Sequence, residues 1–71
     1  MDESIENLPK NIIKSEMKRK NVSSKEMCDL LKKESERLVE TSFNNKLSRG
    51  GFSAVFFIKC MKVLKVKEIK L

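Results

Sequence analysis

Glu40-Thr41-Ser42-Phe43-Asn44-Asn45-Lys46-Leu47-Ser48-Arg49-Gly50-Gly51-Phe52-Ser53 is the stretch that decides the fold. Phe43 and Leu47 stand four apart and share one face of a helix. The other positions from Ser42 to Arg49 are Ser, Asn, Lys or Arg, side chains that hydrogen-bond to phosphates and base edges. Gly50 and Gly51 end that helix, and Ser53 offers a cap to the next. The pattern predicts a short helix held by one narrow apolar stripe. The rest of its surface suits a nucleic acid.

Upstream, Pro9 fits the first position of a helix, where a missing N–H costs nothing. Ile12, Ile13 and Met17 carry that helix to about Lys20, and Asn21, which tolerates left-handed geometry, stops it. Ser23 and Glu26 spell a capping box, flanked by the hydrophobic staple pair Val22 and Met27. A second helix therefore begins at Ser24. Met27, Cys28, Leu30 and Leu31 give it a core face to about Lys33, and a further turn is compatible with Glu34 to Arg37. Leu38 and Val39 return to the core, and Thr41 or Ser42 caps the third helix.

Downstream, Ser53 caps a fourth helix from Ala54 to about Lys65, with Lys59, Lys62 and Lys65 on its wet face. Phe57, Cys60, Met61 and Leu64 fit its core stripe. Phe52, Val55, Phe56 and Ile58 exceed what one helical face buries in so small a monomer. Either the helix is central and surrounded, or these four form an exposed patch for a second copy or a protein partner. The tail from Val66 to Leu71 suits either a helical extension or a short strand.

The 71 residues hold one domain with a modest core. The divisions expected are a disordered acidic tail over 1–8, a folded unit over 9–66 and a C-terminal tail over 67–71. Sixteen Lys and Arg against 10 acids give a net charge of +6, which favours an anionic partner. Lys14, Lys18, Arg19 and Lys20 crowd the end of the first helix, where cations also suit the helix dipole. Histidine is absent and the two cysteines, Cys28 and Cys60, lie in apolar patterns, so no zinc site, metal or other cofactor is expected. Ala54 to Ile58, the longest apolar run, is too short to cross a bilayer. No signal peptide is visible and the chain reads as cytoplasmic and reduced. Without histidine, an activated Ser or Cys, or a glycine-rich phosphate loop, no catalytic residue is identified and an enzyme is not expected.

Two stretches carry a resemblance: Val22-Ser23-Ser24-Lys25-Glu26-Met27-Cys28-Asp29-Leu30-Leu31, and Phe43-x-x-x-Leu47-Ser48-Arg49-Gly50. Their order resembles the lambda-repressor and Cro-like helix-turn-helix domains. The chain is also similar to short, uncharacterised bacterial domains with a Lys-Leu-Ser-Arg-Gly-x-Phe-Ser run, here Lys46 to Ser53. The resemblance spans about Ile12 to Val66. It implies an all-α, compact bundle of four to five helices that contains a helix-turn-helix.

It further implies a bacterial or phage transcriptional regulator that binds double-stranded DNA as a homodimer, with the 42–49 helix in the major groove. Ser42, Asn44, Asn45 and Lys46 would face base edges, with Asn45 central. Ser23, Ser24, Lys25 and Arg49 would contact phosphates. One departure stands out: Lys33 to Glu40 is about twice the usual turn of roughly 3–4 residues and lacks a glycine. It also brings Glu34, Glu36 and Glu40 near the phosphate path.

Plainer assignments exist for the same residues. Asn44 and Asn45 suit a solvated helix face, Ser23 is a cap in any case, and Arg49 balances a helix C-terminus. Two other functions fit the composition: a protein-interaction module such as an antitoxin or adaptor, and binding to structured RNA.

Overall fold

The computed structural model describes residues 5–69. Among the described residues four helices follow one another: α1 (Leu8–Arg19), α2 (Ser24–Lys32), α3 (Glu40–Arg49) and α4 (Ala54–Val63). No strand occurs among the described residues. The radius of gyration, 11.5 Å, is near the ~11 Å typical of a compact chain this long. The expected tails fall partly on residues 1–4, 70 and 71, outside the described residues; residues 5–7 form a turn.

The caps explain why the helices begin where they do. Ser23 Oγ accepts from the Glu26 N–H at 3.2 Å, while the Ser23 N–H donates to Glu26 Oε1 at 3.0 Å. This is the expected capping box. Ser53 Oγ accepts from the Phe56 N–H at 3.1 Å and starts α4 as expected. α3 differs. It begins at Glu40, earlier than a Thr41 or Ser42 cap requires, and Val39 stands at its N-cap with no side-chain bond. The acid Glu40 in the first turn compensates in part through the helix dipole.

Every helix ends through a left-handed residue: Asn21 (φ 56°), Ser35 (φ 64°), Gly50 (φ 69°) and Lys65 (φ 59°). At Asn21, Ser35 and Lys65 the next residue's N–H reaches back to Met17, Leu31 and Met61, closing Schellman motifs. Val22 and Val66 follow two of these turns and pack against the core. The α4 helix therefore stops at Val63, short of Lys65, and 66–69 is neither helix nor strand.

α2 is the central element, packed against both α3 and α4, and α1 packs against α4. Ile13, Met27, Leu31, Phe43 and Cys60 are fully buried at the middle, surrounded by Met17, Cys28, Leu47, Phe56, Met61 and Leu64. Phe56 is only 3% exposed, so it belongs to the core and not to a surface patch. Its ring lies 6.3 Å from Phe43 and 5.2 Å from Phe52, in tilted contacts that join α3, the glycine turn and α4. Leu38 packs against the core as expected, whereas Val39 is 68% exposed.

The long α2–α3 connection has a definite path. Glu34 Oε1 pairs with Lys62 Nζ at 3.0 Å, and Glu36 Oε1 with Lys59 Nζ at 3.1 Å. Both acids are thereby turned onto α4. Residues 36 to 39 alternate inward and outward, with Glu36 and Leu38 half-buried and Arg37 and Val39 exposed.

Candidate functional site

α3 is anchored from below by Phe43 and Leu47, both buried, as their spacing requires. Near its middle it meets α2 through Ser24 Oγ, which donates to Asn44 Oδ1 at 2.7 Å. Its C-terminal end is held by Lys10 of α1, whose Nζ donates to the Ser48 carbonyl at 3.3 Å. Gly50 closes the helix, and a Cβ there would sit 3.5 Å from the Lys10 side chain. The helix is thus fixed at its middle, at its C-terminal end and along its buried face.

The outward face divides in two. Ser42, Asn45, Lys46 and Arg49 line an open depression of about 400 Å³ together with Leu38 and Gly51. Ser42, Asn45 and Arg49 recur at i, i+3 and i+7, one stripe about 10 Å long at ~1.5 Å per residue. All three are exposed. Asn44 lies beside this stripe with its carbonyl oxygen engaged by Ser24. Lys46 is half-buried, its ammonium 5.2 Å from the centre of the Phe56 ring, a cation–π contact. The four expected base-facing residues are therefore three different things: a free pair in Ser42 and Asn45, a strut in Asn44, and a cation drawn over the core in Lys46.

The expected phosphate contacts lie at the two rims. Ser23 and Ser24 open α2; Ser23 is committed to its cap and Ser24 to Asn44. Lys25 and Arg49 are exposed, and neither makes an ion pair among the described residues. The same holds for Lys14, Lys18 and Lys20 at the end of α1, whereas Arg19 is paired with Glu16 at 3.0 Å. Among Glu34, Glu36 and Glu40, two are neutralised by α4 lysines. Sequence patterning had no signal for this pairing, because it joins residues more than 20 positions apart.

Of the apolar excess expected on α4, Val55 and Ile58 are 63% and 60% exposed, Phe52 is half-buried and Phe56 is buried. Val39, expected in the core, is also exposed, at 68%.

The cysteines are free and buried. Burial, with smaller contributions from Glu40 and Asp29, raises the Cys28 thiol above its ordinary value. Burial, then Glu36, pushes Cys60 up to about 12. Neither is an activated nucleophile. No group of three or more Cys, Asp or Glu suited to a metal occurs among the described residues. No helix among them is long and apolar enough to cross a membrane. A second open groove, between α1 and residues 65–69, is lined by Ile12, Val66 and Ile69 beside the Glu16–Arg19 pair.

Residues 6–69 match the model of a family described as a domain of unknown function, DUF6471. The chain belongs to the DUF6471 family. The match runs from the turn before α1 to the segment after α4, so in this DUF6471 domain it includes α3 and both of its anchors. No curated protein and no solved structure matches the chain.

Proposed function

We propose that this DUF6471 domain binds double-stranded DNA with sequence preference, as two copies, with α3 in the major groove. On this reading α2 and α3 are a helix-turn-helix of the lambda-repressor kind, joined by a longer connection than usual. The observation that carries it is the exposed row Ser42, Asn45, Arg49 on a helix pinned from behind by Phe43 and Leu47. A row of that length spans about three base pairs at ~3.4 Å each, and the major groove admits one helix.

Asn45 is the base reader on this account, because an asparagine amide pairs bidentately with adenine. Asn44 holds α3 to α2 through Ser24 and contributes at most its amide N–H. Lys25 and Arg49 contact phosphates. The turning of Glu34 and Glu36 onto Lys62 and Lys59 favours the reading, since it removes two free acids from the approach of a polyanion. Two copies are needed because one short helix reads too few bases. The role is that of a non-enzymatic, cytoplasmic transcriptional regulator.

A fluorescence titration with labelled mixed-sequence duplex fragments at low salt tests this. Binding that weakens as salt rises, and that structured RNA competes away only poorly, is the expected result. Equal or better competition by the RNA assigns the basic surface to RNA shape. A chain that binds neither is a protein-interaction module, the reading that exposed Val39, Val55 and Ile58 favour.

A further inference from the structure

The two ion pairs that fasten the α2–α3 connection also set its register on α4. Glu34 meets Lys62 and Glu36 meets Lys59, so the connection runs antiparallel to α4, two residues forward for three back. Continuing one step brings residues 38 and 39 to the level of Phe56 and Val55. Leu38 turns inward with Phe56, and Val39 turns outward. This register sets the exposed Val39 at the level of Val55, which shares a face of α4 with the exposed Ile58, so that the three would form one apolar patch. Sequence periodicity could not group them, because Val39 belongs to a different element.

We infer that this patch docks a second copy of the same chain through a two-fold contact. The charges around it identify that occupant. A chain of net charge +6 repels its own copy over most of its surface. Beside the patch, however, Lys59 and Lys62 are neutralised by Glu36 and Glu34. Arg37 and Glu40 bracket Val39, are exposed, and have no ion-pair partner among the described residues. A two-fold axis near Val39 sets Arg37 of one copy against Glu40 of the other, and the reverse. One patch thus carries both members of a self-complementary pair around an apolar centre.

Three aliphatic side chains make a small interface, well under the ~800 Å² per partner of a standard complex. The dimer is accordingly weak and concentration-dependent. This inference rests on the two-copy part of the proposed function and not on its DNA part, and it is tested without nucleic acid.

The test is sedimentation equilibrium of the full chain from low micromolar to near-millimolar concentration. The wild type is expected to rise from 8.2 kDa toward twice that mass. Val55→Asp with Ile58→Asp is expected to stay at 8.2 kDa with an unchanged helical circular dichroism spectrum, since both side chains are mostly exposed. Arg37→Glu alone and Glu40→Arg alone should each weaken association about tenfold, and the double exchange should restore it. The charge exchange keeps the test decisive should the aspartate variant unfold. A wild type that is monomeric throughout overturns the inference. So does association that is insensitive to the charge single variants. Dimerisation in a chain that fails to bind DNA would leave this inference standing and remove only the other.

Discussion

Ser24 and Asn44 are joined by a 2.7 Å hydrogen bond that ties the first turn of α2 to the exposed side of α3. The bond matters because α3 has no side-chain cap of its own, so its N-terminal half depends on a neighbour. Ser24→Ala and Asn44→Ala should each cost less than about 1 kcal/mol, the bond being near solvent. Combined, they should cost less than the sum of the two, with a coupling of roughly 0.5–1 kcal/mol. Urea denaturation of the four proteins measures that coupling; strict additivity would show that the bond contributes nothing.

The Glu36–Lys59 pair is about three-quarters shielded on both sides, at 26% and 25% exposure. It should therefore exceed the usual surface ion pair in value. Glu36→Gln is expected to cost about 1 kcal/mol, more than Asp29→Asn, which breaks the exposed 3.8 Å pair with Lys32. Thermal melts in low and high salt distinguish the two: added salt should narrow the gap between Glu36→Gln and wild type only slightly.

The left-handed turns carry a prediction that runs against their residue types. A side chain at φ near +60° is strained by roughly 1 kcal/mol, and glycine relieves it. Ser35→Gly and Lys65→Gly should then raise stability by several tenths of a kcal/mol, even though glycine also loosens the unfolded chain. Gly50→Ala should lower it by about 1 kcal/mol through backbone strain, since the nearest atom to the new Cβ would be 3.5 Å away. Chemical denaturation midpoints report all three.

Alkaline pH should weaken the fold through its thiols. Burial raises the Cys28 value and pushes Cys60 from 9.0 to about 12, so the folded chain keeps protons that the unfolded chain releases. The Cys60 contribution is fully present below pH 9.0 and is lost as pH rises from there toward about 12, and that of Cys28 changes in the same direction. Cys60→Ala is expected to lower stability at neutral pH by leaving a small void, yet to flatten its decline above pH 9.0. An unchanged alkaline slope in that variant would contradict the assignment.

Much of the fold was legible because its signals are local. The Ser23–Glu26 capping box, the Asn21 and Gly50 stops and the Phe43–Leu47 stripe each lie within one turn of chain. What was missed depends on distant partners. Glu34 and Glu36 read as free acids because Lys62 and Lys59 follow far downstream. Phe56 read as surplus because α4 carries more apolar residues than one stripe, and only its contacts with Phe43 and Phe52 reveal which of them is buried. Ser35 and Lys65 gave no warning of left-handed turns, since neither residue type favours them. At the candidate site the sequence named Ser42, Asn45 and Arg49, but the separation of Asn44 from them required the Ser24 bond.

The most direct test of the DNA reading is a selection from randomised duplexes, followed by salt-dependent affinity measurements on the winning and a scrambled site. The wild type should enrich a defined site. Asn45→Ala should lose roughly 1–3 kcal/mol on that site and little on the scrambled one. Lys25→Ala should weaken both alike and lower the salt slope by about one. Enrichment of no site, or Asn45→Ala weakening both duplexes equally, would contradict the claim that α3 reads sequence.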